Sequence, residues 1–386
     1  MRRRRVLKNA KLYTPNGIIE NGYMVVASDG KIQAIGYGET DTTEHDEIEV
    51  GHGKIVLPGF VDVHVHGGGG FGMSLATFDA VNGMSLFHAG YGTTSFLATT
   101  STADTEQTLS ALSNAVKAIG RTTGADLIGI HLEGPYLNPK RAGAQDKENI
   151  RVPDRDELEQ FILATSNHMR LVTLAPELEG GMDVVRMLCG KEITVSVGHS
   201  DATYEEVQAA VSLGLNHTTH HFNGMSPFMH RAPGVAGAGL MMKELTTELI
   251  CDGIHVHPAV VKHLFEAKGP EHVCMITDAV TAAGLPNGVY EKVKVIDGAI
   301  YLLDGSSLAG SSLTMLQALK NAIQFTGYSI ERLLPSMTSV PARQARMGHQ
   351  KGSLEVGKDA DFLILSDELE LLATYVRGTQ VFSSKP

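Results

Sequence analysis

Eight short runs rich in β-branched residues, each followed by a longer stretch of helical character, constrain this chain more than any other feature. They read IVLPGFVDVHVH, GTTSFLATT, LIGIHLEGP, LVTLAPE, TVSVGHS, LNHTTHHFN, LICDGIH and VCMITDAV. Strands alternating with helices imply a parallel sheet, and eight such units are what a (β/α)8 TIM barrel requires. Barrels of this kind do their chemistry at the C-terminal ends of the strands. The polar residues of these runs gather at those ends.

The flanks read differently. Residues 1–56 form an all-β piece with turn signals at Pro15-Asn16-Gly17, Asn21-Gly22 and Asp29-Gly30, spaced for a meander. The basic start, residues 1–5, reads as the charged opening of a strand, because the apolar run after it is too short for a secretory signal. After the eighth run, YEKVKVIDGAIYLLDGSSLAG predicts a hairpin near 290–306, turning at Asp297-Gly298 or Asp304-Gly305, before a final helix at TMLQALKNAIQF. KGSLEVGKDADFLIL and ELLATYVRGTQVF close the chain as strands. Residues 1–56 and 347–386 are therefore expected to build one small β-sandwich domain beside a catalytic barrel over 57–346.

Composition excludes two classes of partner. A formal charge of −11, with no Lys/Arg run after the first residues, argues against a nucleic-acid groove. No stretch approaches the roughly 20 consecutive apolar residues of a membrane span. Cys189, Cys251 and Cys274 are scattered, odd in number and set in apolar surroundings, as reduced core thiols of a cytoplasmic protein would be.

Side chains alternate along a strand, so His64 and His66 project to one face of the first run and Val61, Val63 and Val65 to the other. Two imidazoles hydrogen-bonded in a polar core would read the same way in isolation. Four further strand ends add Glu133, His199, His220 and Asp278 at the same rim, which points to a metal centre. A cation held by histidines and a carboxylate lowers the pKa of bound water from about 15.7 to about 7 and polarises a carbonyl, which favours hydrolysis. Breaking a C–N bond also needs a proton for the leaving amine, and Asp278 is the expected shuttle. Gly67 to Gly70 are expected to leave room for substrate above the metal; a phosphate cradle would need a helix start and a Lys. The rim segment THHFNGMSPFMHRAPG offers Asn223, the Gly224 amide and Arg231, and CDGIH offers His255. This donor-rich patch suits a phosphate or carboxylate, although a loop with a solvated Arg would also look like this. His217, His221 and His257 are set aside as non-ligands.

The blocks LPGFVDVHVHG, HLEGPYLNPKRAGAQ, VSVGHSDAT, THHFNGMSPFMHRAPG, CDGIHVHP, MITDAVTAAG, LAGSSLTM and KGSLEVGKDADFLIL resemble, in order, those of the N-acetylglucosamine-6-phosphate deacetylase family within the amidohydrolase superfamily. The resemblance implies a metal-dependent hydrolase that removes acetate from N-acetyl-D-glucosamine 6-phosphate in amino-sugar recycling. It implies a main metal on Glu133, His199 and His220, and a second on His64 and His66 with Glu133 bridging. One or two divalent ions per subunit are thus expected, chosen among Zn, Fe, Co and Mn. Asp278 matches the general base and acid that serves the metal-bound hydroxide. Asn223, Gly224, Arg231 and His255, with Leu308 of LAGSSLTM, match positions that handle the sugar phosphate. Arg231 would reach the neighbouring active site of a homodimer.

One departure stands out. Some members carry a carbonyl-polarising histidine where KRAGAQDKEN has Gln145, which can donate a hydrogen bond but cannot be cationic. Either Gln145 or the second metal would then polarise the carbonyl. Dihydroorotase-like and urease-like relatives bridge their metals with a modified Lys, and no Lys ends any of the eight runs. Two alternatives remain at this level. One is a deacetylase of the galactosamine epimer; the other is a catalytically silent sugar-phosphate sensor, which predicts a lost base or ligand where none is lost.

Overall fold

The computed structural model describes residues 4–40, 46–50 and 54–384. Met1, Arg2 and Arg3, part of the predicted basic strand opening, lie outside the described residues. Strand β1 (Arg5–Thr14) pairs antiparallel with β2 (Gly17–Val26), which pairs with β3 (Ile32–Tyr37); β4 (Asp46–Glu49) and β5 (Lys54–Pro58) run parallel to β1. Two of the three turn signals fall between strands. The third, Asn21-Gly22, lies inside β2, where Asn21 takes φ +49° opposite a register shift between Ala10 and Leu12. A bulge and a turn both call for left-handed backbone that Asn tolerates, so the dipeptide alone does not separate them.

The barrel strands are β6 (Phe60–Val65), β7 (Thr93–Thr99), β8 (Asp126–Glu133), β9 (Met169–Leu174), β10 (Thr194–Val197), β11 (His217–Thr218), β12 (Thr246–Ile250) and β13 (Val273–Ile276). All are parallel and each pairs with the next, one for each of the eight runs. Helices α1 (Phe78–Ala89), α2 (Thr105–Ala118), α3 (Arg155–Ala164), α4 (Gly181–Gly190), α5 (Tyr204–Ser212), α6 (Gly234–Met241) and α7 (Pro258–Lys268) cross between them, and α8 (Met315–Thr326) follows β13. Side-chain caps start several of these helices: Thr77, Asp104, Asp154 and Thr203 each accept a backbone N–H of the first turn. The (β/α)8 barrel closes between β6 and β13 through few contacts. Asp62 accepts the Thr277 hydroxyl at 2.6 Å, and the Asp278 N–H reaches the His64 carbonyl at 3.0 Å.

Where a hairpin was expected, three antiparallel strands form: β14 (Gly288–Tyr290), β15 (Val293–Ile296) and β16 (Ala299–Leu302). Asp297-Gly298 makes the second turn, both residues left-handed. The first turn, at Glu291-Lys292, has no Gly or Asn to announce it; Glu291 itself takes φ +51°.

The chain ends in β17 (Phe362–Ser366), β18 (Leu371–Val376) and β19 (Thr379–Ser383), and β17 pairs antiparallel with β5. The layers of the expected sandwich are one continuous sheet, ordered β19-β18-β17-β5-β1-β2-β3, with β4 also on β1. Its middle strands have two apolar faces. Val56, Phe362 and Ile364 join the core of the terminal sheet, whereas Ile55, Leu57, Leu363 and Leu365 pack into the core of the barrel.

A buried charge cluster ties the C-terminal segment to the barrel floor. Lys351 is fully buried, with Nζ 2.8 Å from Asp361, 3.0 Å from Asp359 and 3.0 Å from Asp126. Arg377 also pairs with Asp126, and its backbone N–H reaches Asp361 at 2.7 Å. Cys251 and Cys274 are buried thiols, and Cys189 is half-buried. No helix among the described residues is long and apolar enough to cross a membrane.

His88 on α1 yields a pH test of the packing. It is buried with Nε2 3.0 Å from the Gly67 carbonyl, and burial lowers its pKa to about 4, the carbonyl offsetting only part. Between the unfolded value of about 6.5 and 4, the unfolded chain binds a proton that the folded one does not, so stability falls as pH drops through that window. His88→Gln should keep the donor to Gly67 and remove roughly 3 kcal/mol of that acid-side loss. Urea midpoints at pH 7 and pH 4.5 measure it; the same acid sensitivity in both proteins would refute the assignment.

Candidate active site

The site is built where strands stop. Glu133 ends β8, and β10, β11 and β13 each stop two residues before a functional side chain carried on left-handed backbone: His199 at φ +47°, His220 at +28° and Asp278 at +51°. Such backbone costs a non-glycine residue on the order of 1–3 kcal/mol and concentrates at functional sites.

Six side chains from five strand ends converge. Nε2 of His64 and of His66 stand 3.2 Å apart, and those of His199 and His220 3.0 Å apart. Glu133 Oε1 lies 3.2 Å from His220, 3.3 Å from His199 and 3.5 Å from His64, and its Oε2 lies 3.3 Å from His66. Asp278 Oδ1 lies 3.3 Å from His66 and 3.5 Å from His64.

The outer ring nitrogens decide what this cluster is for. Nδ1 of His199 faces the Arg141 carbonyl at 2.8 Å, Nδ1 of His220 faces the Asn223 carbonyl at 3.1 Å, and Nδ1 of His64 faces Glu248 at 2.9 Å. Carbonyl and carboxylate oxygens only accept, so each Nδ1 carries a proton and Nε2 is the atom turned inward, where it presents a lone pair whenever the ring is neutral. Lone pairs 3.0 Å apart repel unless a cation stands among them. Glu133 Oε1 is buried with no hydrogen-bond partner at the same place. The donor set therefore fits divalent metal in two groups that share Glu133, one with His199 and His220 and one with His64 and His66; a third candidate group, His64, His131 and Glu248, lies deeper in the barrel.

Electrostatics agree. Among the described residues no Lys or Arg pairs with Glu133, Glu248 or Asp278; their ionic partners are histidines. Burial pushes the Glu133 carboxyl up, but His64, His199 and His220 outweigh it and hold it well below the usual range. Asp278 is likewise lowered, with His64 and His66 overcoming burial. His66 answers in kind: burial lowers it, yet Asp278 and Glu133 raise it to about 9. The site demands positive charge.

A cavity of about 1050 Å³ opens onto this cluster, lined also by Gln145, Asn223, Gly224, His255 and Leu308. The β14–β16 sheet supplies part of its wall through Glu291, Lys292 and Val293. Gln145 is held at both ends: its carbonyl accepts the Thr102 N–H at 2.8 Å, and its amide donates to Glu133 Oε2 at 2.7 Å. Gly224 takes φ +59°, which favours glycine, and a Cβ there would crowd His199 Nδ1 at 3.0 Å. His255 is fixed by Asp252, 2.6 Å from its Nδ1. Arg231 does not line this cavity; it is exposed, in a tight turn bracketed by Met229 and Ala232.

Gly67 to Gly70 do not border the cavity, which corrects the expectation that they clear space for substrate. Gly67, Gly68 and Gly69 let the chain lie against its neighbours, whereas Gly70 has open space around it and serves a left-handed turn at φ +90°. A Cβ on Gly67 would meet the Thr281 nitrogen at 2.6 Å, and one on Gly68 would meet Phe87 at 2.4 Å. Of the histidines set aside, His257 caps α7 and His221 is buried against α6, with its Nδ1 3.1 Å from Thr218. His217 has more to do: it pairs with Glu248, 3.1 Å away. Glu248 itself was not anticipated. It stands one residue before the seventh run, LICDGIH, rather than at a run's C-terminal end, and only strand alternation could have placed it on the face that looks into the barrel.

Fold and site together define a barrel metalloenzyme whose histidines and carboxylates gather at the C-terminal rim. The chain matches the amidohydrolase family over residues 55–381 and belongs to it. It is 39% identical to N-acetylglucosamine-6-phosphate deacetylase of Bacillus subtilis (strain 168) over 387 aligned residues, 98% of each chain. It is 35% identical to N-acetylgalactosamine-6-phosphate deacetylase of Escherichia coli O157:H7, over 97% of this chain and 98% of that one. A mutant N-acetyl-D-glucosamine-6-phosphate deacetylase of Mycobacterium smegmatis, solved with N-acetyl-D-glucosamine-6-phosphate, superposes with a TM-score of 0.92 at 31% identity, covering 99% and 100% of the two chains.

Proposed function

We propose that the protein deacetylates N-acetyl-D-glucosamine 6-phosphate, releasing D-glucosamine 6-phosphate and acetate in amino-sugar catabolism and cell-wall recycling. The observation that carries this reading is a cavity lined by His66, His199, His220, Glu133 and Asp278, with His64 behind them, in a chain related over its length to amino-sugar-phosphate deacetylases. Divalent metal held by Glu133, His199 and His220, and by His64 and His66 with Glu133 shared, would supply Lewis-acid polarisation and an acidified water. Zinc, iron, cobalt and manganese all suit these ligands.

The chain's own groups do the rest. Asp278 Oδ1 takes the proton of the attacking water and returns it to the departing amine nitrogen. Gln145 steadies Glu133 with one amide hydrogen and offers the other to the acetyl oxygen. Asn223, Gly224, His255 and Leu308 orient the sugar phosphate. Arg231, exposed and outside the lining of its own cavity, serves the phosphate bound by a second subunit, so the working form is a homodimer. Unpaired core thiols suit a cytoplasmic setting.

Arg231→Ala should raise KM for the phosphorylated substrate roughly tenfold or more, the worth of a hydrogen bond to a charged group, and change an unphosphorylated one little. Equal losses for both would remove Arg231 from phosphate binding. A second reading, the galactosamine epimer, is favoured by the Escherichia coli relative. Acetate release from the two epimeric 6-phosphates and from unphosphorylated N-acetylglucosamine tests both readings. Release from the gluco epimer alone supports the first, release from the galacto epimer alone the second, and release from none of them defeats both.

A further inference from the structure

Behind the metal ligands, on the side away from the cavity, lies a carboxylate that the proposed chemistry does not use. Glu248, in the middle of β12, is fully buried. Its Oε2 accepts twice: from His64 Nδ1–H at 2.9 Å and from the backbone N–H of His220 at 2.9 Å. Its Oε1 lies 3.1 Å from His217 Nε2. Burial works against its charge, but His64 and His217 outweigh burial and hold the carboxyl well below the usual range. An ionised carboxylate inside a barrel, with only imidazoles as side-chain partners, is costly to keep. Something at the site has to make use of it.

The two contacts of Oε2 show what. Of the three candidate groups, the two that face the cavity share Glu133, one taking His64 and the other His220; the third sets His64 with His131 and Glu248, and there the His64 nitrogen nearest Glu248 is Nδ1, the one that donates to it. A carboxylate behind an imidazole fixes its tautomer and ring orientation and makes the far nitrogen a stronger ligand. The backbone of His220 stands at φ +28°, where few residues sit, and its N–H is tied to the same oxygen that aims His64. We infer that Glu248 is a positioning residue that couples the two metal subsites, aiming the His64 imidazole and pinning the backbone that carries His220. His217 steadies it from the far side.

The inference rests on the metal reading proposed above, not on the identity of the sugar. Its test is therefore cobalt binding to the full chain, followed by equilibrium dialysis and by the visible spectrum of the bound ion. Glu248→Gln is the informative variant: the Gln carbonyl can still accept both N–H groups while the charge is gone. It should fold with an unchanged circular dichroism spectrum and bind its weaker cobalt equivalent 10–100-fold less tightly, with a shifted visible band. Glu248→Leu removes both acceptors and should weaken both equivalents; should it fail to fold, Glu248→Gln still decides. Cobalt affinities within twofold of the parent and the same spectrum in Glu248→Gln would overturn the inference while leaving the metal centre in place. A parent protein that binds no cobalt would defeat the metal reading itself, and this inference with it.

Discussion

Asp278→Asn should lower turnover of N-acetyl-D-glucosamine 6-phosphate by roughly 10²- to 10⁴-fold, the usual worth of a positioned acid-base group, while leaving KM within a few fold. Asn has nearly the same shape and can accept a hydrogen bond from His66, 3.3 Å from the present carboxylate, but it cannot carry a proton between two heavy atoms. The backbone argues that this residue is placed rather than tolerated. Asp278 sits at φ +51°, with its N–H on the His64 carbonyl and its own carbonyl accepting the Ser311 N–H at 2.8 Å. Metal content has to be measured on the same sample, because Asp278 also faces the histidines. Full metal with lost turnover identifies the shuttle, whereas full metal with unimpaired turnover would pass the role to another group.

The second large effect lies at the other end of the same barrel. Lys351→Met should destabilise the protein by about 3–5 kcal/mol, the cost of leaving buried charges without their counterion, out of a total stability on the order of 5–15 kcal/mol. Met replaces the aliphatic stem, so the loss reports charge rather than volume. Asp126, Asp359 and Asp361 would remain around the vacated ammonium position, with Arg377 and Lys31 reaching only some of them. Asp361→Asn in the Lys351→Met background should recover part of the loss. Urea denaturation followed by circular dichroism measures both; a loss below about 1 kcal/mol would mean that the cluster is far better hydrated than its burial indicates. Specific activity of the remaining folded protein should hardly change. Asp126 opens β8 and Glu133 ends it, so stability and catalysis occupy opposite faces of the barrel.

These two residues also show what a reader of the sequence could see. Asp278 stands at the end of a β-branched run, where barrels place chemistry, and its position follows from counting strands. The eight runs were legible because each is short, apolar and followed by a helical stretch. Lys351 carries no such mark: KGSLEVGKDADFLIL reads as a strand, and nothing in it announces that the ammonium is buried against Asp126 of a distant barrel strand. Glu248 was hidden because it stands just before the seventh run, where a charged residue looks like the approach to a strand rather than part of its interior face. The meaning of Gly67 to Gly70 was misread for a related reason. Absence of side chains permits either open space or close approach, and here the backbone at Thr281 crowds Gly67 while Phe87 crowds Gly68 and Gly69.

The ladder between β5 and β17 has a consequence for how the protein is made. Residues 54–58 leave the ribosome early, but the strand that covers their edge is not synthesised until residues 362–366. Nearly the whole barrel must emerge before that clasp can close. Until then Ile55 and Leu57 lack Leu363 and Leu365 beside them, at the seam where the terminal sheet meets the barrel. A nascent chain stalled in the last helices thus presents an unpaired strand edge flanked by bare apolar surface, the state in which large proteins are most open to misassembly. A pairing that spans some three hundred residues of sequence is thus the one that joins the two halves of the terminal sheet.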